Sequence, residues 1–166
     1  MKCVVFTNNK GKLSELQLLL QQLNFSVYGY RDITKKEIDV VEDGSTFHEN
    51  AFKKVSALSS YSNDILIADD SGLEIDVLDN APGIYSARYG GQHLTDHERC
   101  KYVLDKMKNF EHRQARFQCV LAVIMPDKSH FFVQGTCEGV LAESIQGDKG
   151  FGYDPIFIPS GYSQTF

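Results

Sequence analysis

The chain has 166 residues, a formal net charge of −5, 42% hydrophobic and 23% charged residues, proportions of an ordinary globular protein that can bury a core as one domain, or one domain with two lobes. Net acidity argues against sequence-independent nucleic-acid binding, which needs a basic face to displace counterions, and no apolar run approaches the roughly 20 residues of a membrane helix. Residues 1–6 are too short an apolar stretch for a signal peptide and no small-residue cleavage site follows, so a soluble, cytoplasmic protein is expected.

Cys3 to Phe6 reads as a short apolar strand, followed by the polar loop Thr7-Asn8-Asn9-Lys10-Gly11-Lys12. Leu13, Leu16, Leu20 and Leu23 then recur at three- to four-residue spacing, which predicts a helix with one apolar face. A second strand at about Ser26 to Tyr30 completes a β-loop-α-β opening.

The next helix is predicted to start at Thr46, where Thr46 and Glu49 have capping-box spacing. Its buried face is Phe47, Ala51, Val55 and Leu58. Ile65 to Ala68 is a continuous apolar run, as in a central strand covered on both sides. It is expected to end at Asp69-Asp70-Ser71-Gly72, with Leu73 to Val77 as a further strand. Residues 79–92 read as a long Gly/Pro loop. A third helix is predicted from Thr95, with Glu98 completing a second capping box, to about Lys108. Ala115 to Met125 and His130 to Glu138 alternate with period two around the turn-rich Pro126-Asp127-Lys128-Ser129, a hairpin. The mixture of β-α-β and hairpin predicts an α/β fold with a mixed sheet.

Four segments carry candidate chemistry. Thr7 to Lys12 lies between a strand and a helix, where outward backbone N–H groups attract anions. The side chains of Thr7, Asn8 and Asn9 add hydrogen-bonding groups and Lys12 a point charge. The segment lacks the G-x-x-x-x-G-K-[ST] spacing of a P-loop, and its bland alternative is a polar turn. Asp69-Asp70-Ser71-Gly72 places two carboxylates beyond a strand, oxygen donors suited to Mg²⁺, unless they are simply turn formers. Adjacent strand residues point apart, which argues against a haloacid-dehalogenase-type phosphatase, whose chemistry needs Asp-x-Asp. In Gly150-Phe151-Gly152-Tyr153-Asp154-Pro155 the aromatics suit stacking on a base and Asp154 suits accepting from base or ribose, or the segment is an aromatic turn. Glu42 is a candidate second metal carboxylate. Lys53 and Lys54 cannot both face it, so at most one contacts phosphate. His93 and His97 have i, i+4 spacing, but His93 precedes the helix cap, and loop histidines without a metal are expected. Cys3, Cys100, Cys119 and Cys137 show no C-x-x-C spacing and read as reduced, buried thiols.

In this order and spacing the segments resemble the dITP/XTP (inosine triphosphate) pyrophosphatase family, the Ham1-like proteins, over nearly the whole chain. The resemblance rests on Thr7-x-Asn9-x-x-Lys12, Glu49-Asn50-Ala51, Ala68-Asp-Asp-Ser-Gly-Leu73, Ala81-Pro-Gly-Ile-Tyr-Ser-Ala-Arg-Tyr89 and Gly150-Phe-Gly-Tyr-Asp-Pro155. It implies an elongated mixed sheet with flanking helices forming two lobes around a central nucleotide-binding cleft, and a homodimer. It implies Mg²⁺-dependent hydrolysis of ITP, dITP and XTP to monophosphate and pyrophosphate, which cleanses the nucleotide pool of deaminated purines. Carried over by position, Asp70 is general base and metal ligand, Glu42 the second metal-site carboxylate, and Ser71 a substrate contact. Thr7, Asn8, Asn9, Lys10, Gly11, Lys12 and Lys54 would hold the triphosphate, and Phe151, Gly152, Tyr153 and Asp154 the base and ribose.

Two departures accompany the resemblance. Asn8 stands where the family usually has glycine. The family also continues past the position of Phe166 into a Ser-His-Arg motif that helps to read the base and a final helix, so a C-terminally truncated chain with uncovered apolar surface is expected. A nucleotide-binding protein without turnover, and a general phosphohydrolase releasing orthophosphate, stay open as alternatives.

Overall fold

A computed structural model describes all of residues 1–166. The strands form one six-stranded mixed sheet in the order β2-β1-β3-β4-β5-β6, the α/β class expected. The chain divides into two compact units, Met1–Asp70 with Val120–Gln134, and Ser71–Cys119 with Gly135–Phe166.

In the first unit, β1 (Lys2–Phe6) runs parallel to β2 (Ser26–Gly29) on one side and to β3 (Ile65–Ile75) on the other. Helix α1 (Lys10–Gln21) links β1 to β2. Leu13, Leu16 and Leu20 pack against Cys3, Val5, Val27, Ile65 and Ile67. Leu23 does not join this face: the helix ends at Gln21 and Leu23 is 65% exposed. Its amide instead donates to Leu20 O in the turn that enters β2. The second strand stops at Gly29, because Tyr30 starts a short helix, α2 (Tyr30–Thr34), whose Asp32 carboxylate accepts the Gly29 N–H at 3.0 Å.

Helix α3 (Phe47–Ser56) is capped as expected by Thr46, whose hydroxyl accepts the Glu49 N–H at 3.1 Å. The reciprocal bond differs from the capping-box expectation: the Glu49 carboxylate takes the Ser45 N–H and hydroxyl at 2.7 and 2.9 Å. Phe47, Ala51, Val55 and Leu58 are all buried.

The largest correction concerns β3. It does not end at the acidic pair but continues unbroken from Ile65 to Ile75. Asp69 and Asp70 are 4% and 6% exposed within it, held by lysines rather than by a turn.

In the second unit the expected loop 79–92 carries a 3₁₀ helix, Gly83–Arg88, preceded by a cis Ala81–Pro82 bond. Helix α4 (Asp96–Lys106) has the complete capping box of Thr95 and Glu98. Its Arg99 is buried and donates to the carbonyls of Tyr89, Gly91 and Leu94 at 2.7–3.1 Å, fixing the preceding loop. The hairpin pairs β4 (Gln114–Ile124) with β5 (His130–Leu141), and a short β6 (Phe157–Pro159) lies antiparallel to β5. Leu73, Ile75, Cys100, Val103, Met107, Leu141, Tyr153, Ile156 and Phe157 form this unit's core.

All four cysteines are free thiols. Cys3 and Cys100 are buried, but Cys119 and Cys137 are only half-buried, because the neighbouring parts of β4 and β5 are incompletely covered. Leu18, Leu19, Tyr162 and Phe166 are large exposed apolar side chains. No helix is long and apolar enough to cross a membrane.

Candidate active site

Strand order explains how the adjacent carboxylates Asp69 and Asp70 can both be buried. From β1 the chain crosses outward to β2, and from β2 it crosses back past β1 to β3. Right-handed parallel crossovers running in opposite directions place α1 and α3 on opposite faces of the sheet. Side chains alternate along β3, so Asp69 shares a face with Ile65 and Ile67, which pack with α1, and Asp70 faces the other way. Lys12 of α1 donates to Asp69 Oδ2 at 2.5 Å, and Lys54 of α3 donates to Asp70 Oδ1 at 2.8 Å.

Around Asp70 the groups converge. Lys54 Nζ lies 3.3 Å from Glu42 Oε2 as well, so one ammonium spans two carboxylates. Asn50 Nδ2 donates to Asp70 Oδ2 at 3.4 Å, while Asn50 Oδ1 accepts the Gly44 N–H at 2.8 Å. Asn50 is 0% exposed and therefore ties the Glu42-Asp43-Gly44 segment to the strand from inside. A side chain at Gly44 would meet Asn50 Oδ1 at 2.6 Å and Glu49 Cβ at 2.8 Å, so this approach requires glycine. Lys53 points away and pairs with Asp43, which settles which of the two lysines faces the carboxylates.

The electrostatics follow from burial. Burial pushes the Asp70 carboxyl above its ordinary range; the Lys54 charge and hydrogen bond oppose this and Glu42 adds to it, and the net direction is upward. For Lys54, burial pulls downward but is outweighed by Asp70 and Glu42, so the ammonium is held more firmly than usual. The combination is a charged lysine beside a carboxylate with raised proton affinity.

The Thr7 to Lys12 loop is set by its own side chains. Thr7 Oγ1 accepts the Asn9 N–H at 3.1 Å, and Asn9 caps α1 by accepting the Lys12 N–H at 3.2 Å. Asn8 Oδ1 accepts from the Tyr30 hydroxyl at 2.7 Å and from Arg31 Nη2 at 3.1 Å, which anchors the loop to α2. Lys10 opens the helix, Gly11 follows, and the Lys12 ammonium is engaged by Asp69.

In the second unit, Ser71 and Gly72 continue β3, and the Leu73 N–H donates to the buried Ser86 hydroxyl at 2.9 Å. The 150–154 turn is closed by Asp154, whose Oδ2 accepts the Phe151 N–H at 2.8 Å. Gly150 and Gly152 have φ of +76° and +60°, and a Cβ at Gly150 would lie 2.3 Å from Asp154 Oδ2. Burial raises the Asp154 carboxyl above its ordinary range; the Phe151 N–H bond opposes this and Asp96 adds to it, and the net direction is upward. The Tyr153 hydroxyl donates to Ser86 O at 2.8 Å.

Of the residues singled out from sequence, Asp70, Glu42, Lys54 and the Thr7–Lys12 loop belong to the first unit, and Ser71 and Phe151 to Asp154 to the second. Asn50 entered the sequence analysis only within the Glu49-Asn50-Ala51 motif, with no role assigned to it; the structure places it against Asp70. Its signal was present: Phe47, Asn50, Ala51, Lys54 and Val55 share one helical face, so a polar pair lies on the buried side of α3.

Asp70 and Glu42 offer oxygen ligands only, and no group of three or more His, Cys, Asp or Glu side chains is assembled for a metal. Two carboxylates beside substrate oxygens and water are what Mg²⁺ commonly uses, so the donor set fits that ion.

Residues 3–166 match the model of the Ham1 family. The dITP/XTP pyrophosphatase of Desulforamulus reducens is 42% identical over 168 residues, covering 100% of this chain and 83% of that protein. The dITP/XTP pyrophosphatase of Shouchella clausii is 44% identical over 166 residues, covering 98% and 82%. Among solved structures, the Staphylococcus aureus Ham1 protein superposes with a TM-score of 0.86 at 38% identity, covering 99% of this chain and 84% of that one.

Proposed function

The chain belongs to the Ham1 family, and on that premise we propose that it hydrolyses ITP, dITP and XTP to the monophosphate and pyrophosphate. The observation that carries this reading is Asp70: a carboxylate buried in β3 and held in place by Lys54 at 2.8 Å and Asn50 at 3.4 Å. A positioned base of this kind contributes about 10²–10⁴-fold to a rate.

Asp70 takes a proton from the attacking water as the anhydride between the α and β phosphates breaks and pyrophosphate leaves. Lys54 holds the ionised form of Asp70 and meets negative charge as it develops. Asn50 keeps the carboxylate aimed and the Glu42 segment in register. Mg²⁺, held by Asp70 and Glu42, would neutralise phosphate charge when bound. Thr7, Asn8, Asn9, Lys10, Gly11 and Lys12 hold phosphate oxygens at the α1 N-terminus, where orphan N–H groups favour an anion. Ser71 contacts substrate. Phe151 to Asp154 hold base and ribose through aromatic surface and the Asp154 carboxylate. A cytoplasmic homodimer is the form implied by the resemblance.

Product identification tests this. Incubation with inosine triphosphate and Mg²⁺ is expected to release pyrophosphate and inosine monophosphate. Orthophosphate as the first product would overturn the assignment of the broken bond. Nucleotide binding without any product would select a non-catalytic binding protein instead.

A further inference from the structure

The 150–154 turn contains glycine at two of its five positions, both in the left-handed region, so its own backbone specifies its shape weakly. Asp154 closes one end on the Phe151 N–H, and Tyr153 is tied to Ser86. Gly152, whose backbone angles set the direction of the Phe151 ring relative to the Asp154 carboxylate, is gripped from α4. Asp96 Oδ2 accepts the Gly152 N–H at 2.8 Å, and Cys100 Sγ donates to Gly152 O at 3.3 Å. Asp96 and Cys100 are four residues apart and share one helical face. Cys100 is fully buried, and burial, helped by the nearby Asp96 and Asp154 charges, pushes its thiol up to about 11, so it remains a protonated donor. Arg99, between them in sequence, locks the start of the helix to three loop carbonyls, giving the clamp a rigid base.

We propose that Asp96 and Cys100 are positioning residues for base binding: they fix Gly152 from both its polar groups and so hold Phe151 and Asp154 in the geometry that recognises a purine base. This rests on the reading that Phe151 to Asp154 hold the base. The clamp acts on the nucleoside end of the substrate and leaves phosphate binding untouched.

The test is steady-state kinetics of the full chain with inosine triphosphate and Mg²⁺, together with competitive inhibition by inorganic tripolyphosphate, which has the phosphates but no base. Asp96→Ala is expected to raise KM for inosine triphosphate on the order of tenfold, the worth of one charge-assisted hydrogen bond, with little change in kcat or in the tripolyphosphate inhibition constant. Asp96→Asn keeps an acceptor oxygen and is expected to recover most of the affinity. Cys100→Ala is expected to raise KM and Cys100→Ser to restore it in part. Thr95→Ala weakens the α4 cap without touching Gly152 and is expected to leave KM unchanged; an equal rise there would reduce the effect to helix stability and overturn the clamp. Phe151→Ala separates the two layers of the argument. If it raises KM and Asp96→Ala does not, the clamp is wrong and the base site stands; if neither does, the base site is wrong and the clamp falls with it. Equal weakening of inosine triphosphate and tripolyphosphate by Asp96→Ala would also overturn the inference.

Discussion

Asp69 and Asp70 are neighbours on one strand, yet their carboxylates are answered by lysines of two different helices, Lys12 of α1 at 2.5 Å and Lys54 of α3 at 2.8 Å. The pleat sends them to opposite faces, and the reversal of crossover direction puts a helix on each. The two residues are therefore chemically alike but meet different surroundings, and only Asp70 is proposed as the base. Asp70→Asn is expected to lower kcat by about 10²–10⁴-fold, whereas Asp69→Asn is expected to lower it much less and to act through the placement of the Lys12 loop. Pyrophosphate release under saturating substrate measures both; equal losses would mean that Asp70 is not the base.

Lys54 holds together the charges around it. Lys54→Ala leaves Asp70 buried without its cation and is expected to destabilise the protein by about 3–5 kcal/mol. Urea unfolding monitored by circular dichroism reads this directly, and Lys53→Ala, whose pair with Asp43 is exposed, serves as the comparison with little or no loss of stability.

Asn50→Ala removes the acceptor of the Gly44 N–H and a donor to Asp70 in a fully buried setting. The unsatisfied amide is expected to cost about 1–3 kcal/mol. On the proposed role of Asp70 as base, the lost contact aims that base rather than binding the nucleotide, so kcat is expected to fall more than KM rises, and kinetics on the folded fraction distinguish the two.

Gly150→Ala meets two obstacles: φ of +76° and a Cβ placed 2.3 Å from Asp154 Oδ2. The backbone strain alone is of order 1–3 kcal/mol. The Asp154 to Phe151 closure is expected to open, raising KM for inosine triphosphate while the tripolyphosphate inhibition constant stays the same.

Acid stability has opposing contributions whose signs follow from the shifts. Backbone N–H bonds from Thr95 and Ser45, the largest causes, hold Glu98 and Glu49 below their ordinary values. Each therefore contributes stability that is fully present above about pH 4.3 and is lost as pH falls through the folded value. Asp70 and Asp154 are raised by burial, so their contribution has the opposite sign, present below about pH 3.9 and lost as pH rises through the folded value. Denaturation midpoints at pH 7 and pH 3 are expected to differ less for Glu98→Gln than for the unchanged chain.

Much of this architecture was legible in the chain. Leu13, Leu16 and Leu20 announced α1, Thr46 and Thr95 announced the starts of α3 and α4, and the period-two segments announced the hairpin. These signals are local, because a cap or a repeating apolar face depends on residues within a few positions of each other. Leu23 misled because its spacing continued the helical pattern after the backbone had already turned.

The acidic pair shows where local reading stops. Asp-Asp-Ser-Gly has turn composition, and by itself argues for a break. The strand passes through it because Lys12, 57 residues away, and Lys54, 16 residues away, supply the counter-charges that make buried carboxylates tolerable. The contacts of Asn50 stayed hidden for the same reason, its amide being useful only once Gly44 and Asp70 are both brought to it.

Sequence by itself determined helices α1, α3 and α4, the hairpin, the family and the residue kinds available for chemistry, since those follow from short-range pattern and motif spacing; α2, β6 and the unbroken course of β3 did not. Tertiary structure alone decided which lysine serves which carboxylate, that Asn50 aims Asp70, and that α4 grips Gly152. Each of those is a contact between residues far apart in the chain, fixed by strand order and crossover handedness rather than by any neighbour in sequence.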